Sequence, residues 1–175
     1  MGNGLPSAID ERIKLEHQLK SGANWFFWIA GLSVVNSLIT MFSDSGGGFV
    51  IGLGITQIID AIGVMLSEEI GSAGRIAALM LNIIPVGVFV VFGVFAGRRQ
   101  LWAFIVGLVI YGLDGLLFLL VRDWWSIGFH TFALVCVYGG FKACRRLGEM
   151  VTSSEITSDG VGVSGSEEAG VSEER

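Results

Sequence analysis

Apolar residues in this chain come in unbroken blocks, with no alternation of period two and no seam of period three and a half. Four blocks stand out, at about 24–42, 76–97, 101–121 and 124–141. A helix rises about 1.5 Å per residue, so roughly 20 apolar residues cross a hydrocarbon core of about 30 Å. Each block is therefore read as a membrane-spanning helix. The expected fold class is all-α: a polytopic membrane protein built as a four-helix transmembrane bundle.

Polar punctuation divides the rest. Residues 1–22 form a leader in which Leu5 to Lys20 reads as an amphipathic helix. Ser7 and Asp10 have the spacing of a capping box. Ile9, Ile13, Leu15 and Leu19 share one broad face, and the expectation is a helix lying on the membrane surface. The bundle itself is assigned to 23–146. After the glycine run at 46–48, Phe49 to Leu66 is only 18 residues long and carries Gly52, Thr56, Asp60, Gly63 and Ser67 on one stripe. It is expected to be re-entrant or interfacial. Residues 147–175 form an acidic tail. From Thr152 it is mostly Ser, Gly, Thr and acidic residues, so disorder is expected there.

Charge decides how the short segment is treated. If it crosses, the five cations Arg12, Lys14, Lys20, Arg75 and Arg122 face Arg98, Arg99, Lys142, Arg145 and Arg146 across the bilayer, with no bias. If it does not cross, only Arg75 and Arg122 lie outside, which is the asymmetry of the positive-inside rule. Four spans, a cell-membrane location and cytoplasmic termini follow as expectations, with the first span as an uncleaved signal-anchor. The net charge of -5 does not alter this, because seven of the sixteen acids lie in the last 27 residues.

Composition excludes more than it identifies. At 52% hydrophobic and 15% charged, the chain suits lipid better than water. No basic stripe for nucleic acid, phosphate loop or metal-ligand spacing is present, so no cofactor and no metal are expected. Cys136 and Cys144 are eight apart on one helix, about 12 Å along the axis, too far to bridge. Enzymatic activity is not expected.

Candidate chemistry sits inside the spans. Counted from the outer ends, Asn36 is six residues before Phe42, Asn82 six after Ile76, Asp114 seven before Val121 and His130 six after Trp124. All four fall roughly 9–10 Å below the surface, which predicts one shared polar layer. The tight Arg122-Asp123 turn makes the last two spans antiparallel neighbours, so Asp114 and His130 can meet. Gln57 and Asp60 are candidates for an entrance to that layer. The layer reads either as interhelical glue or as a proton or solute site.

The strings GANWFFWIAGLSVVNSLI, LDGLLFLL and GFHTFAL, within Ser21 to Cys144, resemble small uncharacterised four-span bacterial membrane proteins. The resemblance implies a span layout and no activity. The leading expectation is a non-enzymatic structural, accessory or partner-binding bundle; the alternative is a small transporter or proton-linked carrier using the Asp-His pair. The expected partners are the lipid bilayer and either another membrane protein or further copies of this chain.

Overall fold

A computed structural model describes residues 4–42 and 52–164, with side chains over 7–42 and 52–153. The described chain is helical, in the order α1 (Gly4–Phe42), α2 (Gly54–Ile70), α3 (Ser72–Gly97), α4 (Leu101–Leu120) and α5 (Trp124–Ser164). Stretches of four helices, Ser7–Phe42, Ser72–Gly97, Leu101–Leu120 and Trp124–Ser153, are long and apolar enough to cross a membrane. The protein is a multi-pass membrane protein with an all-α fold. Its apolar surface is consistent with that: Leu113, Leu120, Val121, Trp124 and Val135 are all more than half exposed, as lipid-facing residues would be.

The core is an aromatic column. Phe26 of α1 lies 6.0–6.2 Å, ring centre to ring centre, from Phe89, Phe92 and Phe104 of α3 and α4. α1 packs between α3 and α5, and α4 closes the ring against α5 and α3. α1 and α5 approach closely where Gly22 and Gly140 meet backbone to backbone. A Cβ on Gly140 would lie 2.8 Å from Gly22 Cα and 2.9 Å from Phe104 Cε1. This is the close contact that small residues permit between apolar helices. Of Gly93 and Gly97 on α3, Gly93 faces the Phe27 ring, whereas Gly97 has open space beside it.

Two turns share one stop signal. Arg99 has φ 63° and Arg122 has φ 55°. Behind Arg99, the amide of Gln100 donates to Phe95 O and that of Arg99 to Ala96 O. Around Arg122, the amide of Asp123 donates to Phe118 O and that of Arg122 to Leu119 O. Both are Schellman closures with arginine at the left-handed position, where glycine is usual. Asp123 then starts α5: Oδ1 accepts from the Trp125 amide at 3.2 Å, and Oδ2 accepts from the Ser126 hydroxyl at 2.7 Å.

The leader departs from expectation. It is the first part of one unbroken 39-residue helix, not a separate helix lying flat. Leu15, Leu19 and Ala23 are buried in the same cluster as Ala143, Cys144 and Leu147 of α5, while Ile9 and Ile13 remain exposed. No proline lies between Lys20 and Trp25, and packing on α5 supports the helix through Gly22. α5 likewise continues to Ser164, past the point at Thr152 where disorder was expected. Thr152 and Ser153 turn their hydroxyls back onto the carbonyls of Gly148 and Glu149, so they do not compete with the helix. Residues 165–175 of the expected tail lie outside the described residues.

Candidate functional site: a carboxylate at the buried start of α2

α2 begins in the interior. The residue before it, Leu53, is 1% exposed, and its amide donates to Ser33 Oγ of α1 at 2.8 Å. Ser33 is nine residues before Phe42, about 13 Å along α1. The helix therefore starts deep between its neighbours. It runs back toward the α1 C-terminal end, where Gly71 turns the chain into α3. At 17 residues, about 25 Å, α2 is not among the four spans. This is the geometry of a re-entrant segment.

A helix N-terminus leaves amides without intrahelical acceptors and carries about half a positive charge. Leu53, at the cap position, has no side-chain oxygen to offer. α4 supplies the acceptor instead. Oδ2 of Asp114 accepts from the Gly54 amide at 2.7 Å, and Oδ1 accepts from the Ile55 amide at 2.9 Å. Phe118 Cε2 would be 2.9 Å from any Cβ at position 54, so the glycine is what allows this approach.

His130 completes the arrangement from α5. Its Nδ1 is 2.9 Å from Ser126 O, and its Nε2 is 3.1 Å from Asp114 Oδ2. A carbonyl oxygen can only accept, so Nδ1 carries a hydrogen. A bare Nε2 lone pair facing a bare carboxylate would be repulsive. A hydrogen between Nε2 and Oδ2 makes this 3.1 Å contact a hydrogen bond that joins α4 to α5. This is the form in which two ionisable groups are tolerated away from water.

The imidazole is also held by its faces. Tyr111 stacks on it at 4.5 Å and 15°, and Phe118 lies 4.8 Å away, tilted by 47°. Tyr111, Asp114 and Phe118 occupy one α4 face at spacings of three and four, with Gly115 leaving room for the ring. Aromatic faces favour a cation between them. The Tyr111 hydroxyl is buried and has no hydrogen-bond partner among the described residues.

The other expected members form a second cluster. Asn82 Nδ2 donates to Ser37 Oγ at 2.9 Å and to Asp60 Oδ1 at 2.7 Å, while the Ser37 hydroxyl donates to Asp60 Oδ2 at 2.7 Å. Asp60 is six residues beyond Gly54, so the two clusters lie about 9 Å apart along α2. The single layer is thus corrected to two levels. Counting from the span ends misjudged it because α2 inserts between the spans and offers amides at one level and a carboxylate at another. Asn36 is buried on α1, but its Oδ1 has no partner among the described residues; the same holds for Gln57 Nε2. Asp60 is 7% exposed and lines a crevice of about 10 Å³ with Ser37, Thr40 and Arg75. That is room for about one water, rather than a solute entrance.

The sequence puts Ser33 and Ser37 on a bundle-facing polar stripe and Tyr111 on the Asp114 face, but their partners, the α2 amides and the Tyr111–Phe118 bracket were missed. One signal was present: Leu53 cannot cap a helix, so its donors required an acceptor from elsewhere. Among the described residues no group of three His, Cys, Asp or Glu side chains could hold a metal. No family model, curated protein or solved structure matches the chain.

Proposed function

We propose that the protein is a non-enzymatic bundle of the cell membrane, acting as a structural, accessory or partner-binding unit, with both termini in the cytoplasm. The observation that carries this reading is the use of Asp114. Its two oxygens are committed to two amides of α2 and to the imidazole of α5. A carboxylate joining three helices, with its partner ring enclosed by Tyr111 and Phe118, suits a fastener. A carrier needs a group that can exchange its proton with water.

The rival reading, a proton-linked carrier, draws support from the other carboxylate. Asp60 borders a polar crevice and has neutral hydrogen-bond donors in Ser37 and Asn82.

The two separate by experiment. Asp114→Asn, His130→Gln and Asp60→Asn would be measured for unfolding stability and, in proteoliposomes, for flux driven by a pH gradient. The fastener reading expects Asp114→Asn and His130→Gln to lose stability, with no gradient-driven flux in the parent protein. Flux in the parent that is abolished in well-folded variants would overturn it.

A further inference from the structure

α1 and α5 run antiparallel, and two contacts fix which faces meet along one seam between them. Trp25 lies edge-on to Phe132, ring centres 5.2 Å apart. Seven residues on toward the α3–α4 turn, Gln18 lies beside Gly139. A Cβ built on Gly139 would be 3.5 Å from Gln18 Nε2, with no other atom of a neighbouring helix within 4 Å. The seam is therefore notched at Gly139. Residues three, four and seven apart share a helix face. Val135, Gly139, Lys142 and Arg146 thus line the α5 side, and Lys14, Gln18 and Trp25 the α1 side. Below the notch the surface is apolar and open: Phe132 is 56% and Val135 65% exposed.

Charge above the notch is layered. Lys142 is about 4.5 Å beyond Gly139 along the axis, and Lys14 about 6 Å beyond Gln18. Both are exposed, and the Lys142 ammonium lies over the Tyr138 ring, 5.7 Å from its centre. Among the described residues neither has a carboxylate within ion-pair distance. Every acid at this end is farther out or taken. Glu16 is bound by Arg12 and Arg99, and Glu149 by Arg145. Glu11 is level with Arg146, about 10 Å beyond the notch, and Asp10 lies past it. Glu155 and Asp159 are about 13 and 20 Å past Arg146 along α5. The layer nearest the spans thus holds two ammonium groups, the Gln18 amide and no acid.

We propose that this seam is a binding site for one anionic phospholipid. The phosphodiester sits between Lys14 and Lys142 and accepts from the Gln18 amide. An acyl chain fills the notch at Gly139 and runs down over Val135 and Phe132. Two ammonium groups with no acid in their layer match a headgroup whose only charge is its phosphate, as in phosphatidylglycerol. A headgroup with its own ammonium would meet Arg146 farther out as well as Glu11, so it gains less. The seam lies on the lipid-facing side of a multi-pass fold, and the inference is independent of the role given to Asp114.

The test is native mass spectrometry of the full chain in detergent, with phosphatidylglycerol, phosphatidylethanolamine and phosphatidylcholine added in equal amounts. The expected result is a one-to-one adduct that favours phosphatidylglycerol. Lys14→Gln and Lys142→Gln should each weaken that preference about fivefold, while Lys142→Arg retains it. Gly139→Leu changes no charge and meets only the tip of Gln18, so it should fold and still lose the adduct. Three outcomes would overturn the proposal. The first is a preference kept in the Lys14→Gln, Lys142→Gln double variant or in Gly139→Leu. The second is an equal loss in Lys20→Gln, Arg98→Gln, which would mean diffuse attraction to the whole cationic end. The third is a preference for phosphatidylethanolamine, or displacement of the lipid by inorganic phosphate.

Discussion

The Gly54 amide nitrogen lies 2.7 Å from Oδ2 of Asp114, although the two residues are 60 apart in the chain. An acid on one apolar helix thereby supplies the cap that another helix lacks. The same oxygen meets His130, so a single side chain fixes the depth of α2 and the register between α4 and α5.

Replacement of Asp114 is expected to depend on what remains to accept. Asp114→Ala strands two buried amides and the imidazole, and breaking a buried pair costs about 3–5 kcal/mol. Asp114→Asn keeps an oxygen for one amide and offers a donor to Nε2, so its cost should be about 1–2 kcal/mol, near that of an unmade hydrogen bond. Equilibrium unfolding in detergent would rank the two. Equal costs would mean that the charge, not the hydrogen-bond geometry, is what matters.

The α1–α5 contact should reject any added methyl. Gly140→Ala places a carbon against Gly22 and Phe104, and overpacking of this kind costs about 1–3 kcal/mol. Gly31 and Gly87 have nothing within 4 Å of the same position. There, alanine should be neutral or should stabilise by up to about 1 kcal/mol, the difference in helix propensity. Thermal unfolding of the three variants checks the contrast.

Arg122 holds a left-handed backbone that costs a non-glycine residue about 1–2 kcal/mol. Its Schellman bonds need only the backbone. Arg122→Gly should therefore preserve the turn and raise stability modestly, whereas Arg122→Val should lower it. Unfolding midpoints of the pair decide the sign.

The Asp123 cap should make stability depend on pH in one direction. The Ser126 hydroxyl, helped by the amides of Ser126 and Trp125, holds the Asp123 carboxyl below its ordinary range. A group whose folded value is depressed stabilises the fold above its unfolded value. That contribution is lost as pH falls through the folded value, below the usual carboxylate range. Asp123→Ala should cost about 0.5–2 kcal/mol at neutral pH, as an N-cap loss does. Unfolding curves of parent and variant should converge in acid.

Much of this architecture is legible in the chain because length and apolarity are local properties. Four uninterrupted apolar runs and the short Arg98–Gln100 and Arg122–Asp123 breaks suffice to draw the helices. The tight second break also explains why Asp114 and His130 meet. The partners of Asn82 were not legible, since they depend on α2 entering from the side and bringing Asp60 to Ser37. The cap on Gly54 was hidden for the same reason: it joins an amide, which every residue has, to a carboxylate 60 residues away. The leader was misjudged because Leu15 and Leu19 of its apolar face pack with α5 as part of one continuous helix, while Ile9 and Ile13 stay exposed.

The central claim, that Asp114 and His130 act as one unit, is tested most directly by a double-mutant cycle on Asp114→Ala and His130→Ala. Neutral hydrogen bonds between membrane helices couple by about 0.6 kcal/mol on average. A buried pair enclosed by Tyr111 and Phe118 should couple by about 1.5 kcal/mol or more, within the range of contacting residues. Single and double variants that add to within about 0.5 kcal/mol would contradict it.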